Sequence, residues 1–136
     1  MKIKREKAFE ESARESYIEI VESYFKALDD RRVVDVLDYF NEDATFVVQS
    51  AFLNYSGRDS EIKSMVEGFL DSYNLVLHTD FEHIVDPFSR SISSRFRVEL
   101  DGTNGSHDTK QSVNHWYLKN GKFHRVYVWI SGNNVL

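Results

Sequence analysis

The chain has 136 residues, 41% of them hydrophobic and 14% aromatic, with 17 Lys+Arg against 22 Asp+Glu, a formal net charge of −5 and no cysteine. These totals exclude disulfides, thiolate metal sites and a cysteine nucleophile, and the basic clusters at Lys2–Lys7 and Arg31–Arg32 are too diluted by neighbouring acids to neutralise nucleic-acid phosphates. A chain this long buries about two thirds of its unfolded surface, enough for one domain, and with no apolar run near about 18 residues and no secretory pattern, a soluble cytoplasmic protein that neither spans nor binds a membrane is expected.

From Ile3 to Leu28 there is no proline or glycine, and Tyr17, Ile20, Val21, Tyr24 and Leu28 recur at helical spacing. Residues 1–16 are mostly charged. They read as a helical extension, frayed or solvated, ahead of a single domain over 17–136. The acids between Glu6 and Glu22 suit a solvated face making i, i+4 pairs. Asp29–Asp30 offers an N-cap for a short second helix with Val33, Val36, Leu37 and Phe40 as its apolar stripe. Ala44–Phe52 is rich in β-branched and aromatic residues and reads as a strand. Gly57 ends it. Asp59 or Ser60 is expected to cap a third helix that buries Ile62, Met65, Val66, Phe69, Leu70 and Tyr73.

The second half reads as all-β. Leu75–Val85 is followed by Pro87, the only proline. Arg90–Leu100 alternates, with Ile92, Phe96, Val98 and Leu100 on one side and Arg95, Arg97 and Glu99 on the other. The polar stretch DGTNGSHD (101–108) is a loop. SVNHWYLKNGKFHRVYVWI (112–130) then forms a hairpin about Asn120–Gly121, a pair suited to a type I′ turn. Helices first and strands afterwards predict an α+β domain.

Counting outward from a two-residue turn pairs Trp116 with Arg125 and Asn114 with Tyr127. One hairpin face then carries Ser112, Asn114, Trp116, Leu118, Phe123, Arg125, Tyr127 and Trp129, rings with a few polar groups, as in a ligand pocket. The other carries Val113, His115, Tyr117, His124, Val126, Val128 and Ile130. One layer of helices covers only one face, so a homodimer through this second face is expected. Arg125 either binds a carboxylate or carbonyl of a ligand or stacks on Trp116.

The stretches YFKALDDRRVVDVLDYFNEDATF (24–46), GRDSEIKSMVEGF (57–69) and NHWYLKNGKFHRVYVW (114–129), with the strands between them, resemble the nuclear transport factor 2-like superfamily, especially its SnoaL-like and ketosteroid-isomerase-like branches. The likeness runs from Tyr17 to Ile130. It implies a cone-shaped α+β fold in which three N-terminal helices pack on a strongly curved, mainly antiparallel sheet around an apolar pocket. It also implies a cofactor-free isomerase, cyclase or dehydratase acting on a small apolar carbonyl compound. The alternative within the same fold is a non-catalytic ligand-binding or oligomerisation module, because a shared fold is weak warrant for one activity.

Residue by residue, Tyr24 stands where the steroid isomerases place an oxyanion-binding tyrosine. Asn114 stands in place of their protonated acid, and an amide NH₂ donates to an oxyanion in much the same way. Their general-base aspartate is replaced by Val48, which argues against that reaction. The cyclase and dehydratase branches tend to carry a histidine on the strand after the third helix. Here LVLHTDFEHIV (75–85) offers His78 and His83, as general bases titrating near neutral pH. Alternation turns only one of them inward, His83 with Leu77 and Phe81, whereas the family position fits His78; a bulge would reverse the parity. The candidate catalytic set is thus Tyr24, His78, His83 and Asn114, with Trp116, Phe123, Arg125, Tyr127 and Trp129 lining the pocket. No histidine pair at ligand spacing with an acid suggests a metal, and no cofactor is implied.

Overall fold

The computed structural model describes residues 2–136. Helix α1 runs without a break over Lys2–Asp29. Its last turns bury Val21, Tyr24, Phe25 and Leu28 on one face, the spacing an amphipathic helix requires. Before Tyr17 the described side chains are exposed apart from a half-buried Ala13. Helix α2 covers Val33–Asp38 and helix α3 Lys63–Ser72.

The expected caps are not used. Arg32 precedes α2 without a side-chain cap. Asp59 sits inside a π-helical turn over Gly57–Ile62 that leads into α3, and its carboxylate accepts from the Arg58 guanidinium at 2.9 Å. Asp30 pairs with Lys26 at 3.2 Å. Asp29 is held elsewhere, as described below.

Six strands follow or interleave: β1 Phe40–Val48, β2 Leu53–Ser56, β3 Tyr73–Asp86, β4 Ser91–Gly102, β5 His107–Lys119 and β6 Lys122–Ile130. They form one sheet in the order β2-β1-β6-β5-β4-β3. Only β1 and β6 pair in parallel. The strand expected over Ala44–Phe52 begins four residues earlier and stops at Val48, where Gln49–Ala51 makes a 3₁₀ turn and Phe52 adopts φ +56°. The three helices pack on this curved, open sheet as an α+β cone. The core lies between them, with Phe40, Trp116, Phe123, Val126 and Val128 essentially inaccessible.

The hairpin turn is as expected, with positive φ at both Asn120 and Gly121, and Leu118 faces Phe123. Beyond that pair the register departs from simple counting. Tyr117 faces Arg125 and Trp116 faces Val126, because His124 is an extra residue on β6. A second bulge interrupts β3, where pairing steps from Thr79–Arg97 to Glu82–Arg95 and Asp80 takes φ +58°. Bulges sharpen the local twist and curl a sheet into a cone. Each also reverses the inward parity of everything beyond it.

Candidate functional site

A small cavity of about 50 Å³ lies between the helices and the concave face of the sheet. Helix α1 contributes Tyr24, Phe25 and Leu28, and α3 contributes Met65, Val66 and Phe69. The sheet adds Phe46, His78, Phe96, Val98, Ser112, Asn114, Val128 and Ile130. Val135 and Leu136, beyond β6, complete the wall. The lining is apolar except for Tyr24, His78, Ser112 and Asn114, which is the composition of a site that fixes a small molecule by a few polar contacts.

His78 reaches this wall from β3, held by the last residue of α1. The carboxylate of Asp29 accepts from the His78 backbone N–H at 2.9 Å and lies 2.5 Å from ring Nδ1. A carboxylate is an acceptor, so Nδ1 carries a proton, and in the neutral ring the lone pair is on Nε2. The ring is clamped by Phe25, stacked at 4.3 Å between centroids, and by Phe96 at 5.3 Å. Both side chains of the pair are largely buried. The imidazole therefore has one tautomer, one orientation and one nitrogen available to a ligand.

Tyr24 is buried to 3% exposure. Burial first, and the nearby Asp29 carboxylate second, push its pKa well above the usual tyrosine range. The phenol is therefore a hydrogen-bond donor at any physiological pH. Asn114 is 5% exposed, and its Oδ1 accepts from Ser112 Oγ at 3.1 Å. The Ser112 hydroxyl also lies 3.0 Å from the Trp129 carbonyl, so its one proton serves one acceptor at a time. When Ser112 donates to Oδ1, the Asn114 NH₂ is the part of the amide left to meet a ligand.

The β3 bulge turns both histidines inward, where strict alternation would admit only one. His83 nevertheless stays off the cavity wall. Its Nδ1 is 2.5 Å from Ser94 Oγ and its Nε2 is 3.0 Å from the Glu22 carboxylate, and the ring stacks on Phe81 at 5.7 Å. Both nitrogens are engaged, so the arrangement is that of a satisfied structural histidine tying α1 to the sheet.

The five expected pocket residues lie elsewhere. Trp116 and Phe123 point inward but belong to the packed core, stacked on each other at 5.7 Å and outside the cavity lining. The indole Nε1 of Trp116 has no partner among the described residues. Arg125, Tyr127 and Trp129 are on the outer face, because the extra His124 shifts β6 by one position. The physical reason is burial. Strict counting would bury a guanidinium and expose Val126 and Val128, whereas the bulge does the reverse. Arg125 stacks on Tyr117, 4.7 Å from the ring centre, not on Trp116. Val48 is fully buried core.

Asp29 is not legible in the sequence as a partner of His78, because beside Asp30 it has the look of a helix cap. Ser112, which shares a face with Asn114 on β5, also lines the cavity. Nothing in the sequence marked Val135 and Leu136. Among the described residues no group of three His, Cys, Asp or Glu could hold a metal, and no helix is long and apolar enough to cross a membrane.

Comparison with known proteins gives a consistent result. The family profile described as "SnoaL-like domain" matches residues 11–133. A search of the curated proteins finds no match to this sequence. Among solved structures, a candidate polyketide cyclase from Xanthomonas campestris pv. campestris superposes with a TM-score of 0.77 at 16% identity, covering 86% of this chain and 91% of that one. A candidate isomerase from Bacillus subtilis gives 0.78 at 10% identity over 88% of each chain. A protein from Catenulispora acidiphila with a ketosteroid isomerase-like fold, solved with trimethylamine, gives 0.75 at 13% identity over 87% of this chain and 89% of its own. At such identities the likeness speaks for the fold.

Proposed function

This chain belongs to the SnoaL-like domain family, and we propose that it is a proton-transfer enzyme acting next to the carbonyl of a small apolar compound, as a cofactor-independent isomerase, cyclase or dehydratase. The observation that carries the reading is the Asp29–His78 pair, 2.5 Å apart, at the wall of an apolar cavity beside Tyr24 and Asn114. His78 Nε2 takes a proton from the carbon next to the carbonyl. The electron pair moves onto the carbonyl oxygen, which accepts hydrogen bonds from the Tyr24 hydroxyl and the Asn114 amide. Asp29 holds the tautomer and stabilises the imidazolium. Returning the proton at another carbon gives isomerisation, and delivering it to a departing hydroxide gives dehydration.

The apolar rings of Phe25, Phe69 and Phe96 suit the carbon skeleton and exclude water, which strengthens the polar contacts. The likeness in fold to a candidate polyketide cyclase and a candidate isomerase is in keeping with this chemistry. The protein acts as a dimer through the outer face of the sheet, and residues 2–16 are a helical extension ahead of the domain at 17–136.

The test is to identify a ligand by native mass spectrometry of freshly purified protein, then to follow turnover of that compound by wild type and His78→Ala. The expected result is a small carbonyl compound, with turnover lowered by roughly 100-fold or more in the variant. A ligand that binds equally well and is left unchanged by both proteins would make this a binding module.

A further inference from the structure

Lys110 is a buried cation with no part in the mechanism above. It is 5% exposed and faces inward from β5, one alternate position from Ser112 and two from Asn114. Its cross-strand partner is Val98, and both Val98 and Ser112 line the cavity. The Lys110 backbone thus stands beside two lining residues, roughly 7 Å along the strand from Ser112, with its side chain on the same inward face. It has three N–H donors and two contacts, both 3.3 Å long. One is the Ser131 carbonyl, the other the carboxylate of Asp108, whose side chain is 55% exposed. A buried ammonium ordinarily needs a close, well-shielded counter-charge, and this one lacks it.

Ser131 and Gly132, just after β6, lie against the ammonium. Ser131 is fixed by two contacts to Gln111, N to O at 2.9 Å and Gln111 N to Ser131 Oγ at 3.0 Å. Gly132 follows with φ +71°, and a Cβ there would come within 3.1 Å of Lys110 Nζ. The chain then places Val135 and Leu136 in the cavity wall, held by one long hydrogen bond from the Tyr55 hydroxyl to the Leu136 carbonyl at 3.3 Å. With these two side chains in place the cavity is about 50 Å³, whereas sites for small organic ligands run to roughly 300–1,000 Å³. A hinge at Gly132 that lifted residues 133–136 while Ser131 stayed pinned would empty that space and open the cavity on the side where Gly132 meets Lys110.

We propose that Lys110 is a ligand-binding residue of this cavity. With the 133–136 segment withdrawn, its ammonium swings inward on its four-carbon stem and pairs with a carboxylate on the ligand. The substrate is then a carbonyl compound that bears an acid group, its apolar body against Phe69 and Phe96 and its carbonyl at Tyr24 and Asn114. This deepens the functional reading and rests on the cavity being a ligand site.

The test is calorimetric binding of 2-acetylnaphthalene and of the same ketone carrying a 6-carboxylate, which differ only in the acid. Wild type should bind the acid about tenfold more tightly than the neutral ketone. Lys110→Met should lose that preference and keep the affinity for the ketone, which also shows that it is folded; Lys110→Arg should retain the preference. Asp108→Asn, at an exposed position, removes the ammonium's present counter-charge and should strengthen acid binding. No preference in wild type, a preference that survives in Lys110→Met, or no gain in Asp108→Asn would each overturn the proposal. Ketone binding without acid preference overturns this inference alone. No binding of either probe overturns the pocket reading as well.

Discussion

Asp29 does two things at once at the end of α1: it accepts the backbone N–H of His78 and fixes its ring. Replacing it with Asn keeps the shape but removes the charge that selects the Nδ1–H tautomer. Turnover of an identified substrate by Asp29→Asn should fall by about 100-fold or more with little change in binding, a loss confined to kcat; unchanged kcat would exclude the dyad. Tyr24 gives a pH prediction. Its folded pKa is raised, by burial first and by Asp29 second, so the folded state holds the phenolic proton more tightly than the unfolded chain does. The resulting stability is fully present below the ordinary tyrosine pKa of about 10 and is lost as pH rises through the higher folded value. Urea midpoints should therefore decline above about pH 10, and less steeply in Tyr24→Phe. The roles of these residues were unequally legible. Stripe and parity put Tyr24 and Asn114 on inward faces and the family resemblance implied their roles, whereas Asp29 was marked by neither, because its partner is 49 positions away.

The elements were more legible than their registers. Helical spacing, the Asn120–Gly121 turn and the alternation of β4 all follow from local chemistry. The bulges at Asp80 and His124 do not, because they answer to curvature and burial across the whole sheet. The β6 bulge makes a direct prediction. Val126→Ala, at a fully buried position, should cost about 2 kcal/mol, and Arg125→Ala on the outer face less than about 0.5 kcal/mol. Thermal or urea unfolding measures both, and a simple two-residue period would give the opposite ranking. At the other end of the chain, the exposed first turns of α1 touch the β3–β4 turn through Phe9 and Phe88, 5.7 Å apart. Deleting residues 2–16 should leave the cooperative unfolding transition intact and shift its midpoint only slightly.

For the whole molecule, the helices cover one face of the sheet and leave the other uncovered. With the corrected register that outer face presents Val113 and Trp129, 38% and 46% exposed, with Tyr117, Tyr127 and His115 half-buried between them. Burial holds the His115 imidazole below its ordinary pKa. A second copy of the chain is the simplest cover, since rings at a symmetric interface meet their own kind. Light scattering should report a dimer, and Trp129→Glu should shift it toward monomer; a monomer at every concentration would refute this. The inner face raises the larger issue, whether the cone removes protons or only holds a ligand. Proton abstraction leaves a record even when no product is known. The decisive measurement is hydrogen–deuterium exchange in D₂O at the carbon next to the carbonyl of small apolar ketones and their acid-bearing analogues, followed by NMR with wild type and His78→Gln. Exchange well above the buffer rate in wild type, and at the buffer rate in His78→Gln, is the predicted result. Exchange at the buffer rate in both, with compounds that demonstrably bind, would contradict the account.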